Sequence, residues 1–170
     1  EYISRLTSEG FPDSLSVAPL EYEDHQPPLY YLLATPLYLL SNGSVIVLRI
    51  LSVILGAIAV AMVMLTAVAM MPKHPGVAVL SGALLAFIPQ FVAMCASINN
   101  DALGYALLWL WLWLAMRYLN GKTKAWNLAL VMGLLLLTKS TVYSVVPLTV
   151  LLGFLKWRRE GKPFKVMLAE

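Results

Sequence analysis

The chain alternates long apolar runs with short polar breaks. Residues 1–27 are polar, acidic and turn-rich and run into His25-Gln26-Pro27-Pro28. Residues 29–40 (LYYLLATPLYLL) are apolar, but there are only twelve of them and Pro36 lies inside. A helical crossing needs about 20 apolar residues, so this stretch predicts a juxtamembrane helix lying at the interface. Tyr30, Tyr31 and Tyr38 suit a headgroup zone, where the ring stays apolar and the hydroxyl stays wet. Ser41-Asn42-Gly43-Ser44 is a turn. Residues 45–71 form the clearest span, broken by one charge, Arg49. At 1.5 Å per residue it would be about 40 Å long, enough to cross with tilt. Ser52 and Gly56, four apart, give it a small-residue face that another helix can approach closely. Pro72-Lys73-His74-Pro75-Gly76 turns the chain, residues 77–97 predict a second span, 98–101 a polar turn and 102–120 a third span.

The last apolar region, 126–157, is too long for one crossing: as a single helix it would measure about 48 Å against a hydrocarbon core of about 30 Å. Thr138-Lys139-Ser140-Thr141 interrupts it, and one tilted helix would leave Lys139 near mid-bilayer, which is costly. Division into 124–139 and 140–157 puts Lys139 at a surface turn instead.

Charge placement favours that division. Six of the nine acids (Glu1, Glu9, Asp13, Glu21, Glu23, Asp24) fall in the first 24 residues, and five of the twelve bases (Lys156, Arg158, Arg159, Lys162, Lys165) crowd the last 15. Basic loops belong on the cytoplasmic side, which assigns Lys73, then Arg117, Lys122 and Lys124, then the 156–165 cluster to the inside. Returning to the inside at 156 requires two crossings after 126. The expected fold is an all-α transmembrane helical bundle with about five crossings. It comprises an extracytoplasmic leader with the juxtamembrane helix (1–44), spans over 45–157 and a cytoplasmic basic segment (158–170).

Composition agrees. Hydrophobic residues make up 60% of the chain and charged residues 12%, about half the charge of a soluble domain. The net charge of +3 flanks apolar segments and forms no basic stripe, which argues against nucleic acid as a partner. Cys95 stands alone and makes no internal disulfide. There is no zinc-ligand spacing, P-loop or nucleophile elbow.

The predicted topology gathers three polar groups on the outer face: Glu23-Asp24-His25, Asn99-Asn100-Asp101, and Lys139, with Arg49 close below. A lysine there offers a compact charge for a lipid phosphate, and carboxylates can orient hydroxyls or a metal. Each residue also has a plainer role. Asp101 can cap the helix after it, Lys139 can snorkel to the headgroups, and Arg49 can anchor a helix end. His25 can serve the turn before the prolines, and Glu23 and Asp24 can simply be solvated. Trp109 and Trp113 share a helix face that Trp111 does not, which points to lipid contact or helix packing.

Four strings in order carry a resemblance. Glu21-Tyr-Glu-Asp-His-Gln-Pro-Pro-Leu-Tyr-Tyr31, Arg49-Ile-Leu-Ser52 with Gly56, Ser97-Ile-Asn-Asn-Asp-Ala-Leu103, and Gly133 through Lys139 together resemble GT-C glycosyltransferases. The likeness is to those related to protein O-mannosyltransferases and lipid A aminoarabinose transferases (glycosyltransferase family 39-like). The resemblance implies transfer of a sugar from a polyprenyl-phosphate-linked donor to an acceptor outside the cytoplasm, with Lys139 on the carrier phosphate. It implies donor-site roles for His25 and its neighbours Asp24 and Glu23, and substrate-side roles for Asp101 and Arg49. It further implies a bacterial inner (plasma) membrane setting and leaves a divalent metal open as cofactor. In this family the catalytic carboxylate precedes the proline-rich string. The sequence, opening at Glu1-Tyr-Ile, therefore reads as the amino-terminal half of a longer enzyme with its general base upstream, and as inactive by itself. The rival classes are a transporter or flippase and a non-catalytic membrane subunit. Charges sorted to helix ends and the lack of an internal repeat argue against transport.

Overall fold

A computed structural model describes residues 26–161 of the chain. Glu23, Asp24 and His25, like the rest of the acidic leader and the 162–170 tail, lie outside the described residues. Those described form helices α1 (Leu29–Leu40), α2 (Val45–Met70), α3 (Pro75–Ala86), α4 (Pro89–Ala96), α5 (Asp101–Leu119) and α6 (Ala125–Leu136). A 3-10 turn (Ser140–Ser144) then leads into α7 (Val145–Glu160), and no strand occurs among them.

The helix α1 starts after Pro28, whose backbone is already helical at φ −84° and ψ −8°, and it packs one narrow face on α2. Tyr30 and Ala34, one turn apart, are its buried positions, while Leu32, Leu33, Leu39 and Leu40 are exposed. The three tyrosines do not share one environment. Tyr31 and Tyr38 are about half exposed, as a headgroup position requires, but Tyr30 is fully buried with its hydroxyl 2.9 Å from Ser52 Oγ. Register explains the difference: Tyr30 falls on the α2 side, and Ser52 supplies the partner that a buried phenol needs.

The centre of the bundle is α2, packed along α5, α3 and α4. Its buried positions are Leu48, Ser52, Gly56, Ala59, Val63, Thr66 and Ala67, mostly small and spaced by three or four. A Cβ on Gly56 would stand 2.7 Å from Cys95 Sγ, so α4 crosses at a distance only glycine permits. The small face predicted at Ser52 and Gly56 thus receives α1 at one position and α4 at the other.

The expected straight span over 77–97 is instead two helices, α3 and α4, bent by 64° at Phe87-Ile88. The cause is Pro89, which has no N–H for the Leu85 carbonyl and forces the preceding residue out of the helical region. Ile88 is accordingly extended, at φ −70° and ψ 115°. No charged residue occurs anywhere in α3 or α4.

Of the three clustered tryptophans in α5, Trp111 is buried in the main core, while Trp109 and Trp113 are partly exposed on the other face. Among the described residues α2, α5 and the stretch Ser140–Glu160 are long and apolar enough to cross a membrane, and the bent α3–α4 pair makes a fourth candidate if it acts as one broken span. The sequence pattern predicts five crossings. The difference lies in α6, whose twelve residues reach about 18 Å, short of the hydrocarbon thickness. The chain does break where Lys139 predicts. The helix stops at Leu136, and the next begins at Val145.

Candidate functional site

Three helix ends meet at one end of the bundle, and the unmet backbone groups there explain why they stay together. The last carbonyls of a helix have no partner within it. At the end of α6 the Leu137 carbonyl accepts the Leu29 N–H at 2.9 Å, which docks the start of α1. The next carbonyl, Thr138, accepts the Asn100 side-chain amide at 3.0 Å, which docks the turn before α5. Thr138 itself is fully buried and turns its hydroxyl back to the Leu134 carbonyl at 2.7 Å. The Asn100 amide also donates to Gln26 Oε1 at 3.1 Å, so one buried side chain ties together residue 26, α5 and the segment after α6.

Asn99 shapes the same turn from the other side. Its Oδ1 accepts the Asp101 N–H at 3.0 Å, and its amide donates to Ser97 Oγ at 2.7 Å. Asp101 is therefore not the cap of α5. It sits in the first turn, and its carboxylate pairs with the Lys139 ammonium. Both partners are mostly shielded yet open on one side, with side-chain exposures of 24% for Lys139 and 18% for Asp101. Lys139 carries three donors, so pairing with one carboxylate leaves capacity for a second oxygen ligand.

These groups line a pocket of about 550 Å³, with Gln26, Asn99, Asn100, Asp101, Lys139 and Thr141 as its polar side and Tyr31, Met94 and Ile98 as its apolar side. The mixture suits an amphipathic ligand with an anionic part, because one ammonium faces it and its only described carboxylate is already engaged.

The sequence-predicted residues divide. Asp101 and Lys139 are brought together. Arg49 is exposed in the second turn of α2 and does not line the pocket. Glu23, Asp24 and His25 lie outside the described residues, although Gln26, adjoining His25, does line it. Sequence reasoning passed over Gln26 and Thr138. Their signal was membership in two of the resembling strings, Glu21–Tyr31 and Gly133–Lys139, where the charged neighbours drew the attention. Among the described residues no three His, Cys, Asp or Glu side chains cluster as metal ligands.

Residues 24–169 match the family described as dolichyl-phosphate-mannose-protein mannosyltransferase. The chain belongs to this family. The match runs from the proline-rich string through Asp101 and Lys139 to the basic tail, so it covers three of the four strings that carry the resemblance in full and the first from Asp24 onward. No curated protein and no solved structure matches the chain significantly. Membership in the mannosyltransferase family makes this an integral membrane protein of the GT-C glycosyltransferase kind and implies a lipid-linked sugar donor.

Proposed function

We propose that the chain forms the donor-phosphate side of a glycosyltransferase site that uses a polyprenyl-phosphate-linked sugar and works on the extracytoplasmic face of a bacterial inner membrane. The observation that carries this reading is Lys139, held by Asp101 at the wall of a half-apolar pocket where helix ends converge. Lys139 binds the carrier phosphate and neutralises it as it leaves the anomeric carbon. A carboxylate activates the acceptor hydroxyl, and displacement at the anomeric carbon completes the transfer. Asp101 is a positioning residue that aims the ammonium. Asp24 and His25, with Glu23, line the donor from the leader that precedes Gln26, and Arg49 contributes from the α2 side by attracting the anionic lipid. On this reading α6 and the 140–160 stretch are separate crossings, five in all, and the pocket end of the bundle faces outward.

The transporter alternative gains one feature, the bent α3–α4 pair, since broken helices often mark transport sites. The break, however, exposes Phe87 and Ile88 and holds no charged group.

The test is sugar transfer by the full-length protein in proteoliposomes, with the lipid-linked donor varied. Loss of a charge-assisted contact of about 1.5–3 kcal/mol predicts that Lys139→Ala lowers kcat/KM for the donor roughly 10- to 100-fold. Lys139→Arg should retain an intermediate level, because the charge remains while the point geometry does not. Unchanged donor kinetics in a folded Lys139→Ala protein would remove the phosphate role.

A further inference from the structure

A second polar pocket lies at the other end of α5. From Asp101 to Arg117 the helix rises about 24 Å, close to the full thickness of a hydrocarbon core. There the last turns of α2, Pro72, the end of α5 and the loop after it enclose about 370 Å³. Leu65, Val68 and Trp113 form apolar walls, and Arg117, Asn120 and Lys122 form the polar side.

Arg117 is fixed in place. Its guanidinium lies over Trp113, with Cζ 4.9 Å from the ring centroid, and one Nη donates to the Lys122 carbonyl at 3.4 Å. Five N–H donors in a planar fork leave several free after one hydrogen bond, and stacking on an indole keeps the fork in a set plane.

Among the described residues the charge is also uncompensated. Among the described residues the two carboxylates are Asp101 and Glu160; the first pairs with Lys139 and the second lies 3.8 Å from Lys156. Neither Arg117 nor Lys122 is in an ion pair among those residues.

Basic residues at the ends of α2 and α5 answer the negative pole of each helix and anchor the loops at a membrane surface. That accounts for the sign of the charge. It does not account for a guanidinium immobilised on an indole at the wall of a concave pocket, since an anchoring arginine needs only to reach water.

We propose that Arg117, Asn120 and Lys122 form a phosphate-binding site at the end of the bundle remote from Lys139. Its ligand is the phosphate of an anionic phospholipid headgroup or phosphate free in solution. The Arg117 fork takes two phosphate oxygens, Lys122 adds a mobile positive charge from the rim, and the Asn120 amide supplies a neutral donor.

The full-length protein in neutral detergent is titrated separately with dioleoylphosphatidylglycerol, dioleoylphosphatidylcholine and inorganic phosphate. Thermal stability and retention of lipid in native mass spectra are read for each. Phosphatidylglycerol is expected to raise Tm and to be retained, and phosphatidylcholine to do neither. Arg117→Gln, which keeps the stem against Trp113, should weaken phosphatidylglycerol binding at least tenfold. Lys122→Ala, in an exposed loop where folding is not at risk, should weaken it severalfold. A shift reproduced by inorganic phosphate assigns the site to a soluble anion, and no shift with phosphate assigns it to the lipid; either outcome keeps the site. Equal stabilisation by the two lipids without any phosphate effect, or phosphatidylglycerol binding undiminished in Lys122→Ala and Arg117→Gln, overturns the proposal.

Discussion

Lys139 and Asp101 stand 38 positions apart, and nothing in either string announces the other. What marks each is isolation: a charged residue between apolar helices must reach a surface or find a partner. The pair satisfies both charges while keeping them near water, and the residue that makes the pairing possible is Asn100. With 6% of its surface exposed, it holds the Thr138 carbonyl and Gln26 at once. Asn100→Ala would leave a buried carbonyl without its donor, and it is expected to lower stability by about 1–3 kcal/mol. Thermal unfolding in detergent measures this, and a Tm equal to wild type would show that another group takes over the carbonyl. A carboxylate there would face the same carbonyl and the neighbouring Asp101, so Asn100→Asp should be worse than the alanine. Both signals were legible as residue types. The pairing was not, because it depends on how α5 and the end of α6 meet in space.

Among the helices, glycine has two different meanings. A Cβ on Gly56 would meet Cys95 Sγ at 2.7 Å and Cys95 Cβ at 2.9 Å, whereas one on Gly133 would meet nothing within 4 Å. Gly56→Ala should therefore push α4 off α2 and lose about 1–3 kcal/mol, the usual range for overpacking. Pairing it with Cys95→Gly, which removes both close atoms, should recover part of the loss. Gly133→Ala, by contrast, should leave Tm unchanged or slightly raised, because alanine is the better helix former. The comparison by thermal unfolding is internal: equal losses at the two positions would mean that propensity, not packing, governs both. The spacing of Ser52 and Gly56 made the close face readable from the sequence. The division of labour, with α1 at Ser52 and α4 at Gly56, followed only from the bend at Pro89, which a hydropathy pattern passes over because proline hardly lowers the mean.

The polar ends of the helices sort into two layers across the molecule. Gln26, the 97–101 turn and Lys139 lie together, and Pro72, Arg117 and Lys122 lie together at the other end of α5. Lys156 joins the second layer, with its Nζ 3.9 Å from the centroid of the Tyr118 ring. It is buried there, where the sequence pattern placed it in a basic cytoplasmic cluster; a long apolar stem and a ring face let the charge sit inside at modest cost. This layering makes a topological prediction. Cysteines introduced at Thr141 and Lys124, both exposed, should react with an impermeant reagent from opposite sides of the membrane. The native Cys95 is buried and should label weakly. Labelling of both positions from one side would reduce the crossings between 124 and 160 to a hairpin or a single helix, and would separate Lys139 from the outward face.

The sequence by itself determined that the chain is helical and membrane-embedded, and it marked Asp101 and Lys139 as polar groups worth following. It could do so because a hydrocarbon solvent leaves only a few arrangements for apolar runs and penalises every stray charge. The tertiary structure alone decided which charges meet, that Arg49 stays outside the pocket, that Tyr30 is buried and Tyr31 is not, and that Pro89 breaks a span. Those outcomes depend on helix register, crossing distance and the partners found by free carbonyls at helix ends. They are properties of pairs of segments, which no single stretch of sequence contains.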